Sequence, residues 1–300
     1  MQSRLPMIFI LLTVVLDSMG IGLIMPVMPD LIQSLEGGDL GQAALWGGVL
    51  ATIFAVMQFL FGPTIGSISD RFGRRPVLLI ALVVMSFDYV LMAVAGTIWL
   101  LVIGRIIGGI TAATQSTASA YMADISKPED KAANFGLIGA AFGIGFVIGP
   151  MLGGILAEYG TRAPFWAAAV LAGANGIFGY FALPETVTDR IRRPFDIKRA
   201  NPLGAFKSIT QLPDLGRFMI ISFVISLAFF VYPSVWAYFG KLQFGWGPGM
   251  IGLSLGAFGI GIAIVQGLLM RPILNKIGER NAVVLGLSVD VLAFIMLGFV

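Results

Sequence analysis

Residues 66–76 read Gly-Ser-Ile-Ser-Asp-Arg-Phe-Gly-Arg-Arg-Pro, a short charged stretch between apolar runs at about 45–68 and 76–95. Either run, as an α-helix, is long enough to cross a hydrocarbon core of about 30 Å. The stretch therefore reads as a tight turn between two membrane spans. Gly66 permits close helix approach and Gly73 a sharp reversal. Asp70 can pair with a neighbouring arginine or cap a helix end, while Arg71, Arg74 and Arg75 supply positive charge.

Similar apolar runs lie on both sides, at about 7–28, 98–121, 134–157, 164–184, 217–239, 248–270 and 281–300. Nine candidate spans define an all-α, polytopic membrane protein. Composition agrees: 57% of residues are hydrophobic and 12% charged, roughly half the charge of a soluble domain. The first run is read as a retained span, because Asp17 interrupts it and Pro26 and Pro29 end it without a small-residue cleavage site. The ninth run has not ended at Val300, so the expectation is a piece of a longer chain.

The stretch from Glu185 to Arg217 is the only long polar segment, with Pro194, Pro202 and Pro213 as breakers. It divides the chain into a six-helix half (1–184), a cytoplasmic linker (185–216) and the start of a second half (217–300, helices 7–9). A repeat supports the division. Leu274-Asn275-Lys276-Ile277-Gly278-Glu279-Arg280 follows the eighth run as Ser69–Arg75 follows the second, with the glycine and its flanking basic residues in register. Two six-helix halves related by duplication are a transporter plan.

Basic residues gather on one side of these spans: Arg4, the 71–75 cluster, Lys127, Lys131, the run from Arg190 to Lys207, Arg271, Lys276 and Arg280. The other side holds Arg162 and Lys241 with Asp30, Glu36, Asp39 and Glu158. By the positive-inside rule the amino terminus is expected in the cytoplasm. A net charge of +3 distributed in this way points to lipid rather than nucleic acid.

Asp17, Asp88 and Asp290 each stand alone in an otherwise apolar run, and Arg105 is the one basic residue deep in a span. A carboxylate at the bilayer centre costs on the order of 2.5–3.5 kcal/mol on insertion scales, so such residues mark pathways or proton relays. At about 1.5 Å per residue, Asp17, Asp88 and Asp290 lie roughly 14–18 Å from the cytoplasmic ends of their helices, and Arg105 about 10 Å from the outer end of its own. One mid-membrane cavity can hold all four, and Asp17 is the expected partner of Arg105. Gln58 and Gln266 are lone amides in apolar helices, and Thr114, Gln115, Ser116, Thr117 and Ser119 follow Arg105. The chain has no histidine and no cysteine, which removes imidazole bases, thiolate nucleophiles, disulfides and the usual zinc sites. Trp236 and Tyr238 read as membrane-interface residues.

The stretch Gly66–Pro76 resembles the loop motif of the major facilitator superfamily. Leu101–Arg105 with Gly108 and Gly109 resembles its fourth-helix motif. Gly139, Gly145, Gly149, Pro150, Gly153 and Gly154 resemble the fifth-helix motif of its drug exporters. Leu16–Pro29, which reads LDSMGIGLIMPVMP, is similar to the first helix of the tetracycline/proton antiporters. The resemblance covers essentially the whole chain. It implies two six-helix halves, the second truncated here after about three helices, with Gly66–Arg75 as a gating loop and Gly149, Pro150, Gly153 and Gly154 in a gating helix between moving halves.

It further implies proton-coupled efflux of tetracycline, as a divalent-metal chelate such as that of magnesium, across the bacterial cytoplasmic membrane. Asp17, Asp290 and Arg105 would serve proton coupling, with Asp88, Gln58 and Gln266 contacting substrate. No cofactor, resident metal or catalytic residue is expected. The best-known tetracycline exporters carry a histidine one turn before the eighth-helix glutamine, and Ile262 stands there instead. That departure keeps open an exporter of another amphipathic drug or metabolite. The intramembrane aspartyl proteases also use membrane aspartates, but Asp88-Tyr89 is in the reverse order and Asp290 lacks the preceding Gly-x-Gly.

Overall fold

The computed structural model describes residues 5–112, 114–188, 192, 201 and 215–299. Arg4, most of the expected linker with Arg190 and Lys207, and Val300 lie outside the described residues. The helices are α1 (Leu5–Ile24), α2 (Met28–Glu36), α3 (Leu40–Phe72), α4 (Arg74–Val94), α5 (Ile98–Thr111), α6 (Thr114–Ile125), α7 (Lys131–Ala157), α8 (Ala163–Ala182), α9 (Leu215–Phe244), α10 (Pro248–Ile264) and α11 (Met270–Gly298). Among the described residues nine helical stretches are long and apolar enough to span a bilayer, α5 and α6 together forming one of them.

Differences from the sequence reading sit at the ends of spans. Residues 28–36 form a separate amphipathic helix, started by Pro29 in its first turn and stopped by Gly37 at φ 64°. Asp39 then caps α3 by accepting from the Gln42 N–H at 2.7 Å, so α3 begins earlier than its apolar run. The fourth span is divided after Thr111. Arg162 donates to the carbonyls of Ala93 (3.1 Å) and Ala95 (2.8 Å), closing the end of α4. The duplicated turns share a backbone feature: Gly73 has φ 112° between α3 and α4, and Gly278 has φ 76° at a kink inside α11. Both lie where side chains with a Cβ are strained.

Packing sets α1 against α7 and α8, whereas α5 packs on α3 and α4. Gly145, Gly149 and Gly153, spaced by four, put one bare face of α7 on α1. A Cβ built at Gly149 would lie 2.5 Å from the Met19 carbonyl oxygen, and Gly22 of α1 faces Pro150 in return. Such close helix approach is how small residues replace the hydrophobic effect inside lipid. Large apolar side chains such as Phe87, Val170 and Phe181 point outward, as a lipid-facing surface requires.

Candidate functional site

Asp88 and Tyr89 are consecutive on α4 and both are buried. Successive helical positions diverge, and the two side chains meet different neighbours. The Asp88 carboxylate enters a notch on α5: a Cβ at Gly104 would lie 2.9 Å from Oδ1 and one at Gly108 2.7 Å from Oδ2. The Tyr89 hydroxyl turns instead toward α1, where it fills the space a side chain at Gly20 would need. Asp17 lies one turn before Gly20, on the same face of α1.

Arg105 follows Gly104 on α5. Its guanidinium packs 5.3 Å from the centre of the Phe54 ring on α3 and donates toward the Met92 thioether on α4. Electrostatically it faces Asp88 and Tyr89, and Tyr89 in turn faces Asp17. Arg105 thus interacts electrostatically with Asp88 rather than with the expected Asp17, without an ion pair at contact distance to either. The reason is topological: α5 packs on α3 and α4, while α1 packs on α7 and α8. Asp17 Oδ1, Asp88 Oδ1 and Arg105 Nε are all buried without a hydrogen-bond partner. Buried polar groups are normally satisfied, so these three atoms make the region a candidate site.

The structure places the other residues as follows. Gln58 is half-buried on α3, one turn beyond Phe54. Gln266 lies in a π-helical segment, Val265–Leu269, between α10 and α11, and is exposed. A π-bulge is a common accompaniment of functional sites. Asp290 is exposed on α11 and is not brought to the Asp17–Asp88 cluster. Thr117 is buried with its hydroxyl unpartnered, whereas the side chains of Thr114 and Gln115 lie outside the described residues. Tyr89, Phe54 and Met92 were not singled out by composition, although a phenol beside a lone aspartate is a readable signal. Trp236 and Tyr238, expected at a membrane interface, are packed against neighbouring helices: Trp236 Nε1 donates to Ser254 Oγ at 2.8 Å, and the Tyr238 hydroxyl abuts Gly47 of α3.

At the Gly66–Pro76 turn, Arg74 pairs with Asp70 (2.5 Å) and Asp124 (3.3 Å), and donates to Ser69 Oγ at 2.6 Å. The Glu185 carboxylate accepts from the backbone N–H groups of Arg74 (2.9 Å) and Arg75 (3.2 Å), so it caps the start of α4. Arg75 donates to the Tyr180 carbonyl at 2.8 Å and stacks near its ring. Arg71 lies over Phe72, and Gly66 meets open space. The glycines of α7 have two faces. Gly149 and Gly153 meet α1, while Gly154 and the Pro150 carbonyl meet Pro248, Gly249 and Gly252 of α10. One helix is thus wedged between the first bundle and the second.

Residues 10–300 match the family model described as Major Facilitator Superfamily, and the chain belongs to that superfamily. It is 42% identical over 299 residues to the class C tetracycline resistance protein of Escherichia coli, covering 100% of this chain and 75% of that protein. It is 38% identical to the class G tetracycline resistance protein of Vibrio anguillarum, covering 97% and 74%. Among solved structures, the human organic anion transporter MFSD10 (TETRAN) superposes with a TM-score of 0.70 at 24% identity, covering 91% of this chain and 73% of that one. At that identity the likeness speaks for the fold. The chain is a multi-pass membrane protein of a transporter family.

Proposed function

We propose that this chain exports tetracycline, carried as a chelate with a divalent metal such as magnesium, out of the bacterial cytoplasm in exchange for protons. The observation that carries the reading is the buried cluster of Asp17, Tyr89, Asp88 and Arg105 where α1, α4 and α5 approach one another. Its match to tetracycline resistance proteins over nearly the whole chain supports the cargo. The charge asymmetry of the turns supports an inner-membrane location with a cytoplasmic amino terminus.

The chemistry follows from competition for one set of carboxylates. A protonated aspartate is neutral and gives no attraction to a cationic chelate. Deprotonated, it supplies negative charge in a low-dielectric site, where attraction is strongest. If the site opens alternately to the two sides, a proton arriving from outside displaces the drug, and the drug arriving from inside displaces the proton. Asp17 is assigned to coupling and Asp88 to the drug, with Arg105 setting the charge balance of Asp88. Gln58 and Gln266 would serve as substrate hydrogen-bonding groups, and Asp290 as a second coupling group supplied by the other half. The Gly66–Arg75 turn and the Gly149–Gly154 face of α7 form the gating elements between halves at 1–184 and 217–300, joined by a linker at 185–216. The energy source is the proton gradient; no cofactor or catalytic residue enters.

Ile262, in place of the histidine of the best-known exporters, favours a second cargo reading: another amphipathic drug moved by the same mechanism. Uptake into inverted membrane vesicles with an acidic lumen tests both. Accumulation of tetracycline that stops in Asp290→Asn supports the reading, and full transport by that variant removes Asp290 from coupling. Absence of tetracycline uptake alongside resistance to another drug class selects the second cargo.

A further inference from the structure

Contacts between the first six spans and the later ones concentrate at the end of the molecule opposite the Arg71–Arg75 turn. On α7, Gly145, Gly149, Gly153 and Gly154 are tightly packed, whereas Gly136, Gly139 and Gly143, nearer that turn, meet open space. On α10, Gly252, Gly256 and Gly259 press on α7, and Gly261 meets nothing. The two helices touch at one end and separate toward the other.

At the closed end, Lys241 in the last turn of α9 reaches across to α2. Its ammonium donates to Asp30 Oδ1 and, at 2.6 Å, to Gln33 Oε1. Asp30 and Gln33 are three apart on α2 and so share a face. That helix is held on the first bundle by buried Leu31 and Ile32. Beside the pair, the Tyr238 hydroxyl abuts Gly47 of α3. Met25, from the turn between α1 and α2, packs on Ala237, Ile251 and Leu255 of the later spans. Lys241 also sits where a helix favours a cation, at its carboxyl end.

We propose that Lys241, Asp30 and Gln33 are positioning residues that latch the two bundles shut on the face opposite the Arg71–Arg75 turn, and that this latch opens and recloses in each transport cycle. The side chains of the ion pair are 29% and 28% exposed. A pair of that exposure shifts an equilibrium by only about two- to fivefold. Weakness suits the role, because a tie that must break every cycle cannot be deep without slowing it. The proposal deepens the transport reading and rests on it for the alternation of states, but its test uses no drug.

The absence of cysteine gives a clean background for labelling. Ala237 is 4% exposed beneath Met25, so a lone cysteine from Ala237→Cys in membrane vesicles reports separation of the bundles. A membrane-impermeant maleimide is applied from the Asp30 side. Labelling is expected to accelerate about two- to fivefold in Asp30→Asn and in Lys241→Met. It is expected to return to the parent rate in the charge swap Asp30→Lys with Lys241→Asp, which a misfolded protein would not do. Unchanged labelling in the two neutral variants overturns the latch, as does a swap that labels as fast as they do. Loss of drug transport with labelling as expected would count against the transport reading alone.

Discussion

The carboxylate of Asp88 occupies space that a side chain at Gly108 would need: a Cβ built there would stand 2.7 Å from Asp88 Oδ2. The glycine does not serve a turn, since it lies within α5. It makes room for a charged group next to Arg105.

Gly108→Ala is therefore expected to displace the Asp88 carboxylate at a packing cost of about 1–3 kcal/mol. If Asp88 holds the drug, that corresponds to roughly 5- to 150-fold weaker binding. Equilibrium binding to purified protein, with thermal stability measured in parallel, checks this. Unchanged affinity in a folded Gly108→Ala protein would take Asp88 out of the site.

The α7 glycines should separate into two groups. A Cβ at Gly149 runs into the Met19 carbonyl of α1, a backbone atom that cannot rotate away, while one at Gly139 meets nothing within 4 Å. Gly149→Ala is expected to lose about 1–3 kcal/mol. Gly139→Ala should be neutral or slightly stabilising, as alanine favours helix over glycine by up to about 1 kcal/mol. Melting of both variants in detergent distinguishes them, and equal behaviour would contradict the close packing of α1 on α7.

Glu185 accepts from two backbone donors at the start of α4 and also from the Val187 N–H at 2.9 Å. Glu185→Ala should cost about 0.5–2 kcal/mol, the range for losing a helix cap. Glu185→Gln keeps one acceptor oxygen and should lose less. Chemical denaturation of the two variants gives the order, and Gln falling below Ala would argue against capping.

Much of this fold was legible because its signals are local. Spans announce themselves by length and apolarity, and the Gly73 and Gly278 turns by matching residues in matching places. The helix α2 was hidden because its nine residues carry a mixed surface too short to stand out beside a membrane run. The candidate site was readable residue by residue but not pair by pair. Asp17, Asp88 and Arg105 were evident as lone charges, yet depth alone cannot tell which helices are neighbours. Packing of α5 on α4 rather than α1 decides that Arg105 faces Asp88. Glu185 and Lys241 looked like solvated loop charges, since their partners are more than a hundred residues distant in sequence. Only tertiary structure could supply those contacts.

Competition of protons and tetracycline for the buried carboxylates is measured by labelled tetracycline uptake, with magnesium present, into inverted vesicles whose lumen is made acidic. The parent protein should accumulate the drug while the gradient lasts. Asp17→Asn, present in equal amount, should give no gradient-driven accumulation. Uptake by Asp17→Asn at the parent rate, collapsing with the gradient as the parent's does, would contradict the account.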